Sequence, residues 1–249
     1  AIDTSNQVDG KTIQYVVSAE DKTFNDTTTG VLYLINCVNV SVQNLSLRKN
    51  GHGVFCFNLT DSRIENVTTV DNNYGIYLQN SNNNTVTNNH CTGDWVGVSL
   101  QDSSLNAVQN SIIRDCEKGI SLYEANNSTL KNNTLLNNLY GVRMFSSDYN
   151  TIFHNNLLRN TKQVDLISSY ENIWDNGCEG NYWSDYNGTD INHDGVGDTD
   201  LPWQGIDGYP LINAYLAGDV NHDGTVNILD VVKICACYMA TPLSAYWNP

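Results

Sequence analysis

The sequence predicts an all-β chain: a parallel β-helix of about seven 22-residue rungs, followed by a small C-terminal calcium-loop and helix segment. Three observations carry this reading. The tetrapeptides VLYL, GVFC, GIYL, GVSL, GISL, GVRM and QVDL begin at Val31, Gly53, Gly75, Gly97, Gly119, Gly141 and Gln163, each 22 residues after the last. An unbroken period of this length means stacked supersecondary units. Four columns are apolar in phase: Leu32 to Val164, Leu34 to Leu166, Val42 to Trp174 and Leu47 to Leu157, the last interrupted by Thr69. A further column is Asn44, Asn66, Asn88, Asn110, Asn132, His154 and Asn176, while the whole chain has four Pro. Asn tolerates left-handed bends and carries a donor and an acceptor, so an inner Asn ladder is expected.

Residues 1–30 are expected to form an N-terminal strand and cap, with 11–19 (KTIQYVVSA) pairing on the first rung. Residues 31–184 are the helix proper. The first two apolar columns are two residues apart, so one strand face buries both. Alternation then sends Tyr33, Phe55 and Tyr77 outward, and with them Ile35, Phe57, Tyr123, Phe145 and Ile167. So much apolar surface calls for a cover. The candidates are a C-terminal segment bearing Trp183, Trp203 and Tyr209, a sugar, or another protein surface. Trp174 and Trp183 are expected to plug the last rung, and seven rungs at about 4.8 Å make a rod of about 34 Å.

Beyond residue 184 the composition shifts to Gly, Asp and aromatic residues. In a segment spanning 185–217, Asp190, Asn192, Asp194, Gly195 and Asp198 have calcium-loop spacing, with Val196 offering a carbonyl. Leu201 stands where a bidentate glutamate is usual, so Asp200 or another segment must complete the shell. In 218–249, Asp219, Asn221, Asp223, Gly224, Thr225, Asn227 and Asp230 fill the loop positions more fully, and VVKICACYMA follows as a short helix.

Twelve Lys+Arg against 27 Asp+Glu give a net charge of −15, which repels phosphate backbones and anionic membranes. Nucleic acid is excluded as a partner, and no apolar run approaches a bilayer span. Seven Cys leave at least one unpaired. Cys56 and Cys91 fall on inward columns, where a small buried hydrophobe is the commoner role; Cys91 with Cys116, or Cys37 with Cys56, pair only if the bends close the offset. The start at Ala1 without Met and many Asn-x-Ser/Thr triplets suggest export. Glycans are expected at Asn25, Asn39, Asn58, Asn83, Asn126 and Asn187, whereas Asn44, Asn66 and Asn132 belong to the expected inner ladder.

The repeat columns GI-x-L and N-x-I-x-x-N, with GNYWSDYNGTDINHDGVGDTD and DGYPL, resemble the NosD-like family of right-handed parallel β-helices over about residues 30 to 213. The resemblance implies the right-handed fold, secretion and kinship with archaeal surface proteins. Two Met and five scattered His offer no soft-metal cluster for the family's copper-delivery branch. GDVNHDGTVNILDVVKI resembles half of a dockerin, which implies a cohesin partner. A catalytic cluster is weighed at Arg48, Asp71, Asp94, Arg114, Asp115 and Glu117, on neighbouring bends, against a solvated ion-pair face. The resulting expectation is a non-catalytic, calcium-stabilised extracellular protein that self-assembles or docks into a surface layer, sheath or filament. The alternatives are a polysaccharide-binding or lyase/epimerase-like helix and a dockerin-bearing cargo protein.

Overall fold

The computed structural model describes residues 5–8, 10–220 and 223–232. The chain winds into a parallel β-helix of three sheets, one of nine strands and two of seven. The in-phase columns stack as the spacing requires: Val54 beside Ile76, Ile76 beside Val98, and Val98 beside Ile120. The four apolar files form one core, with Leu32, Ile76, Leu100, Val108, Ile113 and Leu157 among its fully buried members. Lys11–Val17 pairs parallel to Thr29–Ile35 and so adds a turn before residue 31, while Gln7–Val8 closes the first edge by an antiparallel pair. At the other end Trp174 and Trp183 are sealed into the core, 5.9 Å apart.

The glycine column follows from this stacking. A Cβ on Gly75 would lie 2.6 Å from the carbonyl oxygen of Gly97 and 2.5 Å from Thr69 Oγ1. Gly53, Gly119 and Gly141 likewise abut the carbonyl of the next turn. Gln163 ends the file because its strand is the outermost of the nine, and among the described residues no further strand stacks on it.

Each turn bends at left-handed residues, as at Asn58, Asp61, Asn66 and Asp71, with φ of 53 to 57°. The residue after each bend turns inward, so Leu59, Ser62, Val67 and Asn72 are buried. This corrects the expected Asn ladder. Asn44, Asn66, Asn88 and Asn110 do take positive φ, but they are exposed, and the buried ladder lies one residue later. There Asn89 Oδ1 accepts from Val67 N at 2.9 Å and Asn155 Oδ1 from Asn133 N at 3.0 Å. Asn133 Nδ2 donates to Val108 O at 2.8 Å. Each such bond satisfies a buried backbone group that would otherwise cost about 1–3 kcal/mol. In the expected column Asn132 Nδ2 reaches Asn110 Oδ1 at 3.1 Å and Asn176 Nδ2 lies 3.4 Å from His154 Nε2, both on the outside of the coil. Asn44 and Asn66 are therefore as open as Asn25, Asn39, Asn58, Asn83 and Asn187; Asn126 is half-buried.

Cys37, Cys56, Cys91 and Cys116 are buried free thiols, and Cys178 is exposed and free. The four buried ones act as small core residues. Burial above all, with the nearby Asp94 charge, pushes Cys116 up to about 12. Among the described residues no helix is long and apolar enough to cross a membrane.

Candidate functional site on the outward face of the nine-stranded sheet

Register fixes three outward columns on this sheet. The first runs His52, Tyr74, Val96, Lys118, Tyr140, Lys162. The second runs Tyr33, Phe55, Tyr77, Ser99, Ser121, Arg143, Asp165. The third runs Ile35, Phe57, Gln79, Gln101, Tyr123, Phe145, Ile167. All eight apolar residues expected to face outward do so. Tyr123 and Phe145 are exposed, and Tyr33, Ile35, Phe55, Phe57, Tyr77 and Ile167 are half-buried.

The C-terminal aromatics that sequence reasoning offered as a cover lie elsewhere. Trp183 is in the core, Trp203 packs edge-on to Tyr186, and Tyr209 is itself exposed. In the first turns the rings cover one another: Tyr15–Tyr33, Tyr33–Phe55 and Phe55–Tyr77 centroids are 6.1, 5.9 and 5.4 Å apart. His52 stacks on Tyr74 and Tyr77, and burial lowers its pKa. Burial raises the phenols of Tyr74 and Tyr77. Tyr77 donates to Gln101 Oε1 at 2.5 Å, and Trp95 meets Tyr74 edge-on.

Beyond Trp95 the face becomes cationic. Lys118 Nζ stands 3.9 Å over the Trp95 ring, a cation–π contact. Desolvation lowers its pKa, Glu117 at 3.8 Å opposes this, and Arg143 adds to it. Arg143 lies over Tyr140 and forms an ion pair with Asp165, its Nε 3.0 Å from the carboxylate, while Lys162 donates to Asp165 Oδ1 at 2.5 Å. Tyr123 and Phe145 stack with centroids 4.9 Å apart and planes 4° apart. A cavity of about 250 Å³ opens here, lined by Lys118, Ser121, Leu122, Tyr123, Arg143 and Phe145. Sequence reasoning named Tyr33, Phe55, Phe57, Tyr77, Tyr123 and Phe145 on this face but missed Tyr74, Trp95, Tyr140 and the cations. The signal was present, because Lys118 and Lys162 occupy the position preceding the glycine column, and Arg143 stands in line with Phe55 and Tyr77.

The expected cluster of Arg48, Asp71, Asp94, Arg114, Asp115 and Glu117 is not brought together as an acid–base site. Asp71 and Asp115 are left-handed bend residues, and Arg114–Asp115 is a solvated contact at 3.9 Å. Asp94 is buried in the Asn ladder, accepting from Asn72 N, Asn72 Nδ2 and Thr69 Oγ1 at 2.7, 2.8 and 2.6 Å. Desolvation raises its pKa against those donors.

The two acidic loops share one hydrogen-bond pattern. In the first, Asp190 Oδ1 and Oδ2 accept from Asp194 N and Gly195 N at 3.2 and 2.9 Å, and Asp194 Oδ1 from Val196 N at 2.9 Å. In the second, Asp219 accepts from Asp223 N and Gly224 N at 3.2 and 2.8 Å, and Asp223 Oδ1 from Thr225 N at 2.9 Å. Gly195 and Gly224 take φ of 93 and 86°. Desolvation pushes Asp190 up, but the amides of Gly195, His193 and Asp194 outweigh it and lower the pKa. Asn192 Nδ2 donates to Asp194 Oδ2, and Asp198 Oδ2 accepts from the Ile191 and Asn192 amides. Asp200 is an exposed left-handed residue. Asn227 Oδ1 accepts from Leu229 N and Asp230 Oδ2 from Asn227 N, a capping box opening the helix at 228–232. Asn221 and most of the expected final helix lie outside the described residues.

Comparison with solved structures finds this fold in the Azotobacter vinelandii mannuronan C-5 epimerase AlgE4 A-module, with TM-score 0.51 and 19% identity. That match covers 63% of this chain and 51% of the module, so the chain spans about half the module's length. A variant of the periplasmic alginate epimerase AlgG matches with TM-score 0.49 and 21% identity over 77% of this chain and 41% of that one. The shared fold corrects the expectation of a non-catalytic protein: the likeness is to an epimerase module, so the repeat cannot be taken as the mark of a mere building block. No curated protein sequence matches the chain.

The family model described as periplasmic copper-binding protein (NosD) matches residues 3–188. The described residues do not fit copper. No three His, Cys, Asp or Glu among them converge as a metal site. His52 is packed among tyrosines, His154 is held by Glu179 at 2.7 Å, and four thiols are sealed in the core. The match nonetheless spans well over half of the sequence, and the chain belongs to the NosD family.

Proposed function

We propose that this chain works outside the cytoplasm as a polysaccharide-active β-helix, holding a sugar chain along the outward face of its nine-stranded sheet and acting on it as an epimerase or lyase does. The observation that carries the reading is the outward face itself, which among the described residues no other segment covers at Trp95, Tyr123 and Phe145. Flat aromatic surfaces at Trp95, Tyr123 and Phe145 stand there beside Lys118 and Arg143, which line a cavity with Tyr123 and Phe145. Cations and aromatic rings converging on one exposed cavity are a mark of functional sites. The epimerase fold of the AlgE4 module and the periplasmic setting in the family's description support the same reading. It is preferred to a surface-layer, sheath or cohesin-docked component, since no feature of the face specifies a second protein.

Incubation with a panel of linear polysaccharides, read by proton NMR for inverted ring carbons and by size for cleavage, tests it. Epimerised or shortened product supports the reading; unaltered polymer together with no binding across the panel overturns it.

Calcium belongs to the same proposal. The matched loops at 190–198 and 219–230 would hold it through Asp190, Asn192, Asp194, the Val196 carbonyl and Asp198, and through Asp219, Asn221, Asp223, the Thr225 carbonyl, Asn227 and Asp230. Carbonyl and amide oxygens must contribute. Chelation is expected to lower the melting temperature of the C-terminal segment, and a scan unchanged by chelator would count against calcium.

A further inference from the structure

We propose that the cavity between the strands Lys118–Tyr123 and Tyr140–Phe145 seats the carboxylate of a uronate sugar, with Lys118 and Arg143 as its specificity-determining cations. This rests on the polysaccharide reading above and adds to it the charge class of the polymer and the place where that charge is read.

The argument starts from scarcity. The chain has 12 Lys+Arg in a net charge of −15, so an anionic polymer is repelled by most of the surface. Two of those cations line this cavity beside Tyr123 and Phe145, with no Asp or Glu among its lining residues; the cavity lined by Lys11, Arg48 and Lys49 gathers three cations but has no aromatic wall. Both are held in position before any ligand arrives. Asp165 forms an ion pair with Arg143, Nε to carboxylate 3.0 Å, and the guanidinium lies over the Tyr140 ring. The Lys118 side chain is only 14% exposed and is steadied by Trp95 beneath its ammonium. A planar carboxylate suits a fixed guanidinium, which can donate two parallel N–H bonds. Beside the cations, the stacked Tyr123 and Phe145 rings offer the flat apolar wall on which a sugar ring rests.

Register extends the site. Lys118 and Lys162 stand in one column two turns apart, with Arg143 on the turn between them in the next column. Turns advance about 4.8 Å, comparable to one sugar of an extended chain, so successive carboxylates along the axis would meet successive cations.

Titration calorimetry on the whole chain at low salt separates the possibilities. The probes are oligomannuronate, the same oligomers with their carboxyl groups reduced to alcohols, and polyglutamate of equal charge. Oligomannuronate is expected to bind at least about tenfold more tightly than the reduced oligomers, and Lys118→Gln or Arg143→Gln to lose about tenfold for it alone. Unchanged melting temperatures would show that both variants fold. Equal binding of acidic and reduced oligomers, or full affinity in the double variant, overturns this inference while leaving the polysaccharide reading intact. Polyglutamate binding as tightly as the uronate also overturns it, in favour of unspecific charge attraction. Absence of binding by either sugar overturns this inference, and if the whole polysaccharide panel is also unbound and unaltered, the polysaccharide reading falls with it.

Discussion

The two halves of the nine-stranded sheet share one interior and differ on their outward face. Under the first turns, Val54, Cys56, Ile76 and Leu78 are packed as Ile120, Leu122, Val142 and Met144 are under the later ones. Outside, the early turns carry rings that pack on one another, whereas the later turns carry Lys118, Arg143, Lys162 and a cavity. Inward positions answer to the turns above and below, so the repeat constrains them. Outward positions answer to solvent and ligand, and there the repeat can diverge. Departures from the period on the outward face are therefore the places to look for function.

The largest expected effect breaks the shared interior. Gly75→Ala would press a methyl group onto the Gly97 carbonyl, Thr69 and Asp94, and should cost more than about 3 kcal/mol by chemical denaturation. Gly51→Ala, with nothing within 4 Å of the added carbon, serves as the control and should be near neutral. Equal stability of the two variants would contradict stacking in register.

Next come substitutions that separate the halves. Phe55→Ala removes ring contacts to Tyr33, His52 and Tyr77 and should cost about 2 kcal/mol of stability with little change in oligomannuronate affinity. Arg143→Gln should do the reverse, since a partly exposed ion pair is worth only about 0–1 kcal/mol. If both variants lost stability alone, the later half would be packing surface like the earlier one.

The smallest effect concerns Asp94, whose ladder column otherwise holds Asn50, Asn72, Cys116, Asn138 and Asn160. Desolvation raises its pKa, so the folded chain holds that proton to higher pH than the unfolded chain does. The contribution of Asp94 to stability accordingly falls as pH rises from the ordinary carboxylate range through the raised pKa. Asp94→Asn keeps an acceptor for Asn72 and removes the charge. It should stabilise by about 1 kcal/mol at neutral pH and by less in acid, as thermal melts at several pH values would reveal.

Much of this architecture was legible because a fixed period exposes every stacked position at once. The apolar files and six of the outward aromatics could be read from spacing, and the tryptophan plug and the added strand at 11–17 from the need to close the two open ends of the stack. The Asn ladder was misplaced by one residue for a physical reason: the left-handed bend and the inward amide are adjacent, and Asn serves both. Asn132–Asn133 and Asn88–Asn89 show the two roles side by side. The cationic face was overlooked because Lys118, Arg143 and Lys162 fall in columns elsewhere occupied by His52, Phe55 and Tyr74, so no single file announces charge. The mutual burial of the early rings could not be read either, since it depends on ring tilt across turns. The cap around Asp207, where Asn181 N, Trp183 Nε1 and Tyr209 N converge on one buried carboxylate, lies outside the repeat and left no periodic trace.

The most direct test is a titration of isotope-labelled protein with oligomannuronate, followed by amide chemical shifts. The account predicts shifts concentrated on strands Val96–Gln101, Lys118–Tyr123, Tyr140–Phe145 and Lys162–Ile167, with the two seven-stranded sheets undisturbed. Shifts confined to another face, or a spectrum that saturating oligosaccharide leaves unchanged, would contradict it.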